Sequence, residues 1–223
     1  MSSTLVVFDL DGTLTAGDNL ARLLLHQLRD RRVALRTKLE IVGGSLAYLA
    51  GQLPNAWTKE VFGRAWQGRE RRDLEEDMER FCRDHILPDG SPPVLARLRQ
   101  HQADGHRVVL LSASLDLMVA PVAHALGIPE HRGVDLAFDD RDRLLPALDS
   151  PCYDGLEKAR WLTDFAAREG LDLATAWGYG NSHGDRHFLA LVGHPVAVGP
   201  NRLLRQRAHR EGWEILEHAM ASE

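Results

Sequence analysis

Four short apolar runs, each stopping on a polar or glycine-rich loop and separated from the next by a helical pattern, constrain this chain most. Thr4–Phe8 (TLVVF) stops at Asp9, and Arg107–Leu111 (RVVLL) stops at Ser112. Ala174–Tyr179 (ATAWGY) runs into a Gly/Asn/Ser loop, and Pro195–Val198 (PVAV) stops at Gly199-Pro200. Continuous rather than alternating apolar runs belong to strands covered on both faces, which is the condition of a parallel sheet. Helical spacing fills the intervals over Pro92–Gln102, Leu115–Leu126, Gly155–Arg168, Arg186–Leu191 and Arg202–Glu211. The expectation is an α/β fold with a doubly wound, Rossmann-like parallel sheet. Ligands of such sheets sit beyond the carboxyl ends of the strands, so the polar residues there are the ones to read for chemistry.

One stretch departs from the alternation. From Asp18 to Leu87 apolar residues recur at spacings of three and four: Leu20, Leu23, Leu24 and Leu28, then Val33, Leu35, Leu39, Val42, Leu46 and Leu49. Val61, Phe62, Ala65 and Trp66 follow a break at Pro54, and Leu74, Met78 and Phe81 share a last helical face. Residues 1–15 and 91–223 are therefore expected to form the body, and residues 16–90 an all-helical insert. With 44% apolar and 26% charged residues the chain can bury a core, which excludes a disordered or fibrous protein.

The net charge of −5 gives no reason to expect nucleic acid as a partner. Two cysteines, Cys82 and Cys152, make no disulfide framework and point to a reducing compartment. Asp9 and Asp11 interrupt the first apolar run, so no signal peptide is read and a cytoplasmic location is expected. Ile41–Gly51 is far below the roughly 20 residues of a membrane span and reads as a buried helix or a contact surface.

The chemistry is concentrated in Phe8-Asp9-Leu10-Asp11-Gly12-Thr13-Leu14-Thr15. Two carboxylates two residues apart can face one pocket as the chain leaves the sheet, and Gly12 permits a sharp turn beside them. A calcium loop would need further ligands and a closing glutamate that are absent here. The FDLDGTLT string at a strand end resembles the haloacid dehalogenase superfamily of aspartate-nucleophile phosphohydrolases. That resemblance implies three more elements in order, and the sequence supplies them: Ser112 after RVVLL, Lys158 in YDGLEK, and the loop Gly180-Asn181-Ser182-His183-Gly184-Asp185. Alone, Ser112 would read as a turn or cap residue and Lys158 as a solvated helix face. Only three of the 27 basic residues are lysines, however: Lys38, Lys59 and Lys158. A compact ammonium in a phosphate pocket is a role that arginine does not fill well. The helical insert, the Ser112-Ala113-Ser114 tripeptide and the ending HPVAVGPN with Gly212-Trp213 are most similar to the phosphoserine-phosphatase-like subgroup.

What the resemblance implies is a magnesium-dependent phosphatase for a small phosphorylated metabolite, such as an amino-acid or amino-alcohol ester. Asp9 would be the nucleophile and Asp11 the general acid and base, with Ser112 and Lys158 completing the catalytic set. Gly12, Thr13, Ser112, Ala113, Ser114 and Lys158 would hold the phosphate. Asp9, Asp11, Asn181 and Asp185 would hold Mg2+, less tightly than usual because asparagine stands at the first acidic position of the loop. Asp18 is expected either to meet a substrate amine or to cap a helix.

A basic residue of the insert, Arg64 or Arg69, is expected on a second anionic group. Arg29, Arg31, Arg32, Arg36 and Lys38 read as a solvated face, or as a surface for an acidic partner or lipid headgroups. His183 reads as a loop-facing imidazole, Cys152 and Tyr153 as pocket wall, and the five tryptophans as core. Two other functions stand beside the first: a lipid-linked phosphatase, such as one for phosphatidylglycerophosphate, and a non-hydrolytic binding protein with a weakened metal loop.

Overall fold

In the computed structural model residues 4–31, 33–49 and 55–218 are described. Six parallel strands form one sheet in the order β3-β2-β1-β6-β7-β8. These are β1 (Leu5–Phe8), β2 (Arg107–Leu115), β3 (Glu130–Val134), β6 (Trp177–Gly180), β7 (His194–Val198) and β8 (Glu214–Leu216). The short first strand lies at the centre because both of its faces are apolar. Val6 and Phe8 pack into one core with Val108 and Leu110, while Leu5 and Val7 pack into a second with Val109 and Leu111. Helices α5 (Pro92–Ala103) and α6 (Asp116–Ala125) serve the first core, and α7 (Leu156–Glu169), α8 (Arg186–Leu189) and α9 (Arg202–Glu211) the second. The winding direction reverses at β1, whose neighbours are β2 on one side and β6 on the other. A crevice opens at such a switch point.

The sheet has two strands more than the four apolar runs foretold. β3 reads EHRGV and β8 is three residues long, so neither carries an apolar signature. A separate antiparallel pair, β4 (Leu136–Phe138) with β5 (Leu144–Leu148), was also not legible. Ser112 does not end its strand: β2 continues through Leu115, with an irregular register against β3 between Leu111 and Leu115. That irregularity lets the Ser112-Ala113-Ser114 segment stay extended while it turns toward the crevice.

The helical stretch consists of α1 (Asn19–Arg29), α2 (Leu35–Leu49), α3 (Asn55–Ala65) and α4 (Arg71–Phe81), followed by a π-helical turn over Cys82–Ile86. The chain leaves and rejoins the body at one point. Thr15 bridges Gly90, the Ala16 N–H donates to the Asp89 carbonyl at 3.2 Å, and the Ser91 N–H donates to the Leu14 carbonyl at 2.8 Å. The β4–β5 hairpin grips the far side of the helices through three backbone bonds: Gly68 N–H to Leu144, Leu144 N–H to Arg69, and Arg71 N–H to Asp142. Within the insert the buried Trp66 indole donates to Gln27 Oε1 at 3.0 Å, tying α3 to α1. Among the described residues no helix is long and apolar enough to cross a membrane.

Candidate active site

Asp9 and Asp11 follow β1 directly, and the Asp9 N–H still donates to the Tyr179 carbonyl of β6 at 3.0 Å. Thr13 Oγ1 lies 3.4 Å from Asp9 Oδ2, while Thr13 itself is fully buried behind the cavity. Gly12 adopts φ +70°, and a Cβ there would come within 1.9 Å of the Asn181 amide. The loop after β1 and the loop after β6 therefore meet across a position that only glycine can occupy.

Lys158, near the start of α7, sits between two carboxylates. Its Nζ donates to Asp9 Oδ1 at 2.6 Å and to Asp185 Oδ1 at 2.7 Å, and all three side chains are buried. The other Asp185 oxygen accepts from the Asn181 N–H (3.2 Å), the Ser182 N–H (2.9 Å) and the Ser182 hydroxyl (2.7 Å). Asp185 thus shapes its own loop and fixes the lysine. Burial alone would raise its carboxyl pKa, but the Lys158 charge and these hydrogen bonds outweigh it and hold the pKa below the usual value. Burial likewise works against the Lys158 charge, but the two aspartates hold it protonated. Asp9 is pushed up to about 7, chiefly by burial, with Lys158 opposing and Asp185 and Asp11 adding to the rise.

Asp11 is fixed by other partners. Its Oδ1 accepts from the Asn19 N–H at 2.8 Å, and its Oδ2 accepts from Ser114 Oγ at 2.6 Å and from Ser112 Oγ at 3.4 Å. Burial raises its pKa, while the Ser114 and Asn19 bonds oppose the rise. Ser112 is fully buried and accepts from the Ser114 N–H at 3.0 Å. Of the tripeptide, Ala113 and Ser114 line the crevice.

The crevice has a volume of about 740 Å³. Its floor holds Asp9, Asp11, Gly12, Lys158, Asn181 and Asp185. Asp18 lies on its wall and also caps α1, accepting from the Ala21 N–H at 2.9 Å, so one oxygen serves the helix. Arg64 and Arg69 lie elsewhere: Arg64 is near Glu40 and Glu60, and Arg69 pairs with Asp77 at 2.6 Å. The cation that the insert brings to the crevice is Lys59, 1% exposed, whose pKa burial depresses against the pull of Cys152, Asp154, Asp11 and Asp18. The same scarcity of lysine that singles out Lys158 would have singled out Lys59. Tyr153 packs into the second core and accepts from Arg132 at 2.8 Å, leaving Asp154 and Gly155 as wall. His183 is half-buried and does not line the crevice.

Buried carboxylates at the switch point of a doubly wound sheet, joined by one buried ammonium, place this chain among α/β proteins that do chemistry beyond their central strand. Residues 6–190 match the family model of haloacid dehalogenase-like hydrolases, and the chain belongs to that family.

Two curated relatives illustrate the range. The "inhibition of morphological differentiation protein" of Streptomyces azureus is 26% identical over 96% of this chain and 78% of its own length. A histidinol-phosphatase of Neisseria meningitidis is 27% identical over 66% of this chain and 67% of its own. Among other curated relatives the chain spans between 40% and 82% of their length.

Among solved structures, a Bordetella pertussis protein described as of unknown function aligns with a TM-score of 0.86 at 24% identity, covering 97% of this chain and 99% of that one. A phosphoserine phosphatase, solved as an analogue of its phospho-aspartyl intermediate, aligns with a TM-score of 0.67 at 16% identity, covering 98% and 95%. The fold is phosphoserine-phosphatase-like.

Proposed function

We propose that this hydrolase cleaves phosphomonoesters in two steps through an aspartyl-phosphate on Asp9, with magnesium bound and residues 16–90 acting as a cap over residues 1–15 and 91–223. The observation that carries the reading is the placement of Lys158 Nζ 2.6 Å from Asp9 Oδ1 at the carboxyl end of the central strand. A buried ammonium there neutralises charge on a phosphoryl group without blocking the second carboxylate oxygen. The histidinol-phosphatase relative supports the same class of substrate.

A divalent cation fits the floor. Asp9 and Asp185 share one buried lysine and Asp11 stands beside them, a concentration of oxygen donors suited to a hard cation. Asp9, Asp11, Asn181 and Asp185 would hold the cation, with Lys158 already bonded to one oxygen each of Asp9 and Asp185. When bound, the cation supplies charge neutralisation at the transferring phosphoryl group.

In the first step an Asp9 carboxylate oxygen bonds to phosphorus as the bond to the ester oxygen breaks, and Asp11 gives its proton to the departing alkoxide. In the second step water bonds to phosphorus, Asp11 takes back a proton, and the Asp9–phosphorus bond breaks to release phosphate. The raised pKa of Asp11 suits a residue that must carry that proton in the first step. Ser114 and Ser112 position the carboxyl group through their hydroxyls, and Lys59 faces anionic substrate from the cap. The test is Asp9→Asn with an aryl phosphate and magnesium. Turnover is expected to fall at least about 1,000-fold. Persistence near wild type would remove Asp9 as nucleophile, and an inactive wild-type enzyme would favour a binding protein instead.

A further inference from the structure

The floor of the crevice is polar, but the wall that the helical insert contributes is not. Leu20, Leu24 and Leu28 lie at spacings of four along α1 and present one face to the cavity, joined by Leu25 and by Ile41 and Val42 of α2. Leu20, Leu24 and Ile41 are buried, whereas Leu25 and Val42 are 59% and 47% exposed and stand toward its mouth. Leu35 and Leu39, at 73% and 65% exposed, extend the Val42 row along the outer face of α2. An apolar surface therefore runs from beside the phosphate site out to solvent. Among the described residues the only charged side chains that the insert adds to this wall are Asp18 and Lys59. The volume of about 740 Å³ falls in the upper part of the roughly 300–1,000 Å³ typical of cavities for drug-sized ligands. A substrate of a dozen polar atoms would leave the leucine wall wet.

We propose that the substrate is an amphiphilic phosphomonoester, with its phosphate on the polar floor and an alkyl chain laid along the α1–α2 wall. The inference rests on the phosphatase reading above and names the substrate class for the same site. Each methylene buried against such a wall strengthens binding by roughly fourfold when burial is complete. Asp18 and Lys59 flank the chain near its head, where a hydroxyl or a second polar group next to the phosphate would lie.

The test is a series of ethyl, butyl, hexyl and octyl phosphate, all as monomers, hydrolysed by the full chain with magnesium. We expect kcat/KM to rise at least about 100-fold from ethyl to octyl, a little over twofold or more for each methylene added. A flat series with intact turnover would overturn the inference and leave the phosphatase reading standing. If no ester turns over, the phosphatase reading fails, and the wall is judged by calorimetry with octylphosphonate and ethylphosphonate. Octyl binding at least 100-fold tighter would support it, and equal affinities would overturn it.

Leu25→Glu and Val42→Glu change exposed positions at the mouth, and each should reduce the octyl-to-ethyl ratio at least tenfold. An unchanged ratio would overturn the placement of the chain. Phosphatidate in phosphatidylcholine vesicles, run beside octyl phosphate, identifies the source of the ligand. Turnover of both points to a bilayer lipid, and turnover of octyl phosphate alone to a free amphiphile.

Discussion

The His218 imidazole donates from Nε2 to the Gly12 carbonyl at 3.1 Å. Because a carbonyl only accepts, the proton is on Nε2, and in the neutral ring Nδ1 accepts from the Ser91 hydroxyl at 2.8 Å. His218 therefore braces the turn that carries Asp9 and Asp11, beside Ser91, where the helical stretch returns to the sheet. His218→Phe removes both bonds and keeps a ring of similar size. We expect kcat/KM for an aryl phosphate to fall about tenfold with KM little changed, and stability to fall by about 1 kcal/mol. Steady-state kinetics beside urea denaturation would check this, and an unchanged kcat would show that the turn holds without its brace.

Gly12→Ala should be far more damaging than its single methyl suggests. The backbone at φ +70° disfavours a side chain, and the added carbon meets the Asn181 amide at 1.9 Å. Relief requires the two loops to part. The expected result is a loss of at least about 100-fold in kcat/KM, roughly 3 kcal/mol of transition-state stabilisation. Thermal melting should show a folded protein of somewhat lower Tm.

Asn181→Asp places a fourth carboxylate beside Asp9, Asp11 and Asp185. Added ligand charge should tighten magnesium binding about tenfold. The same charge repels its neighbours when no cation is present, so the metal-free variant should melt below wild type and gain more on adding magnesium. Calorimetric titration gives the affinity, and melting with and without a chelator gives the rest. Equal affinities in the two proteins would show that charge at this position does not govern the ion.

His101 makes folding sensitive to acid. Its Nε2 pairs with the Tyr179 hydroxyl at 2.8 Å and its Nδ1 with His106 at 2.9 Å. Burial, with His106 and Arg97 adding, lowers its pKa from 6.5 to about 4. The unfolded chain thus takes up the proton first as pH falls. The stability held by the neutral ring is full above pH 6.5 and is lost between there and about pH 4. Wild type should lose on the order of 3 kcal/mol over that window through this residue. His101→Phe should be less stable at neutral pH but show a shallower acid slope. Urea midpoints at a series of pH values would compare the slopes.

The readable parts of this molecule are those where one residue type answers one physical demand. Strands buried on both faces must be apolar throughout, so β1, β2 and β7 were visible, and β6 was visible through its tyrosine and glycines. β3 and β8 owe their place to the edges of a sheet whose centre is already fixed, and their charged residues hide them. Asp9, Asp11, Lys158 and Asp185 stand out because they carry the sequence motifs of the family and come together at one crevice. Spacing alone does not choose among Arg64, Arg69 and Lys59; the structure sets the two arginines beside Glu40, Glu60 and Asp77 and puts Lys59 in the crevice. That Lys158 comes to rest between Asp9 and Asp185 is recorded in no local pattern.

The Lys158 contact with Asp9 spans 149 positions of sequence, and the contact with Asp185 a further 27. During synthesis Asp9 precedes the buried ammonium by 149 residues, so the Asp9–Lys158–Asp185 cluster cannot assemble until α7 and the loop after β6 have been made. Closure of this cluster therefore waits on contacts between segments distant in the chain. An amino-terminal fragment ending before α7 has every atom of the FDLDGTLT turn and neither the Lys158 ammonium nor Asp185 beside it.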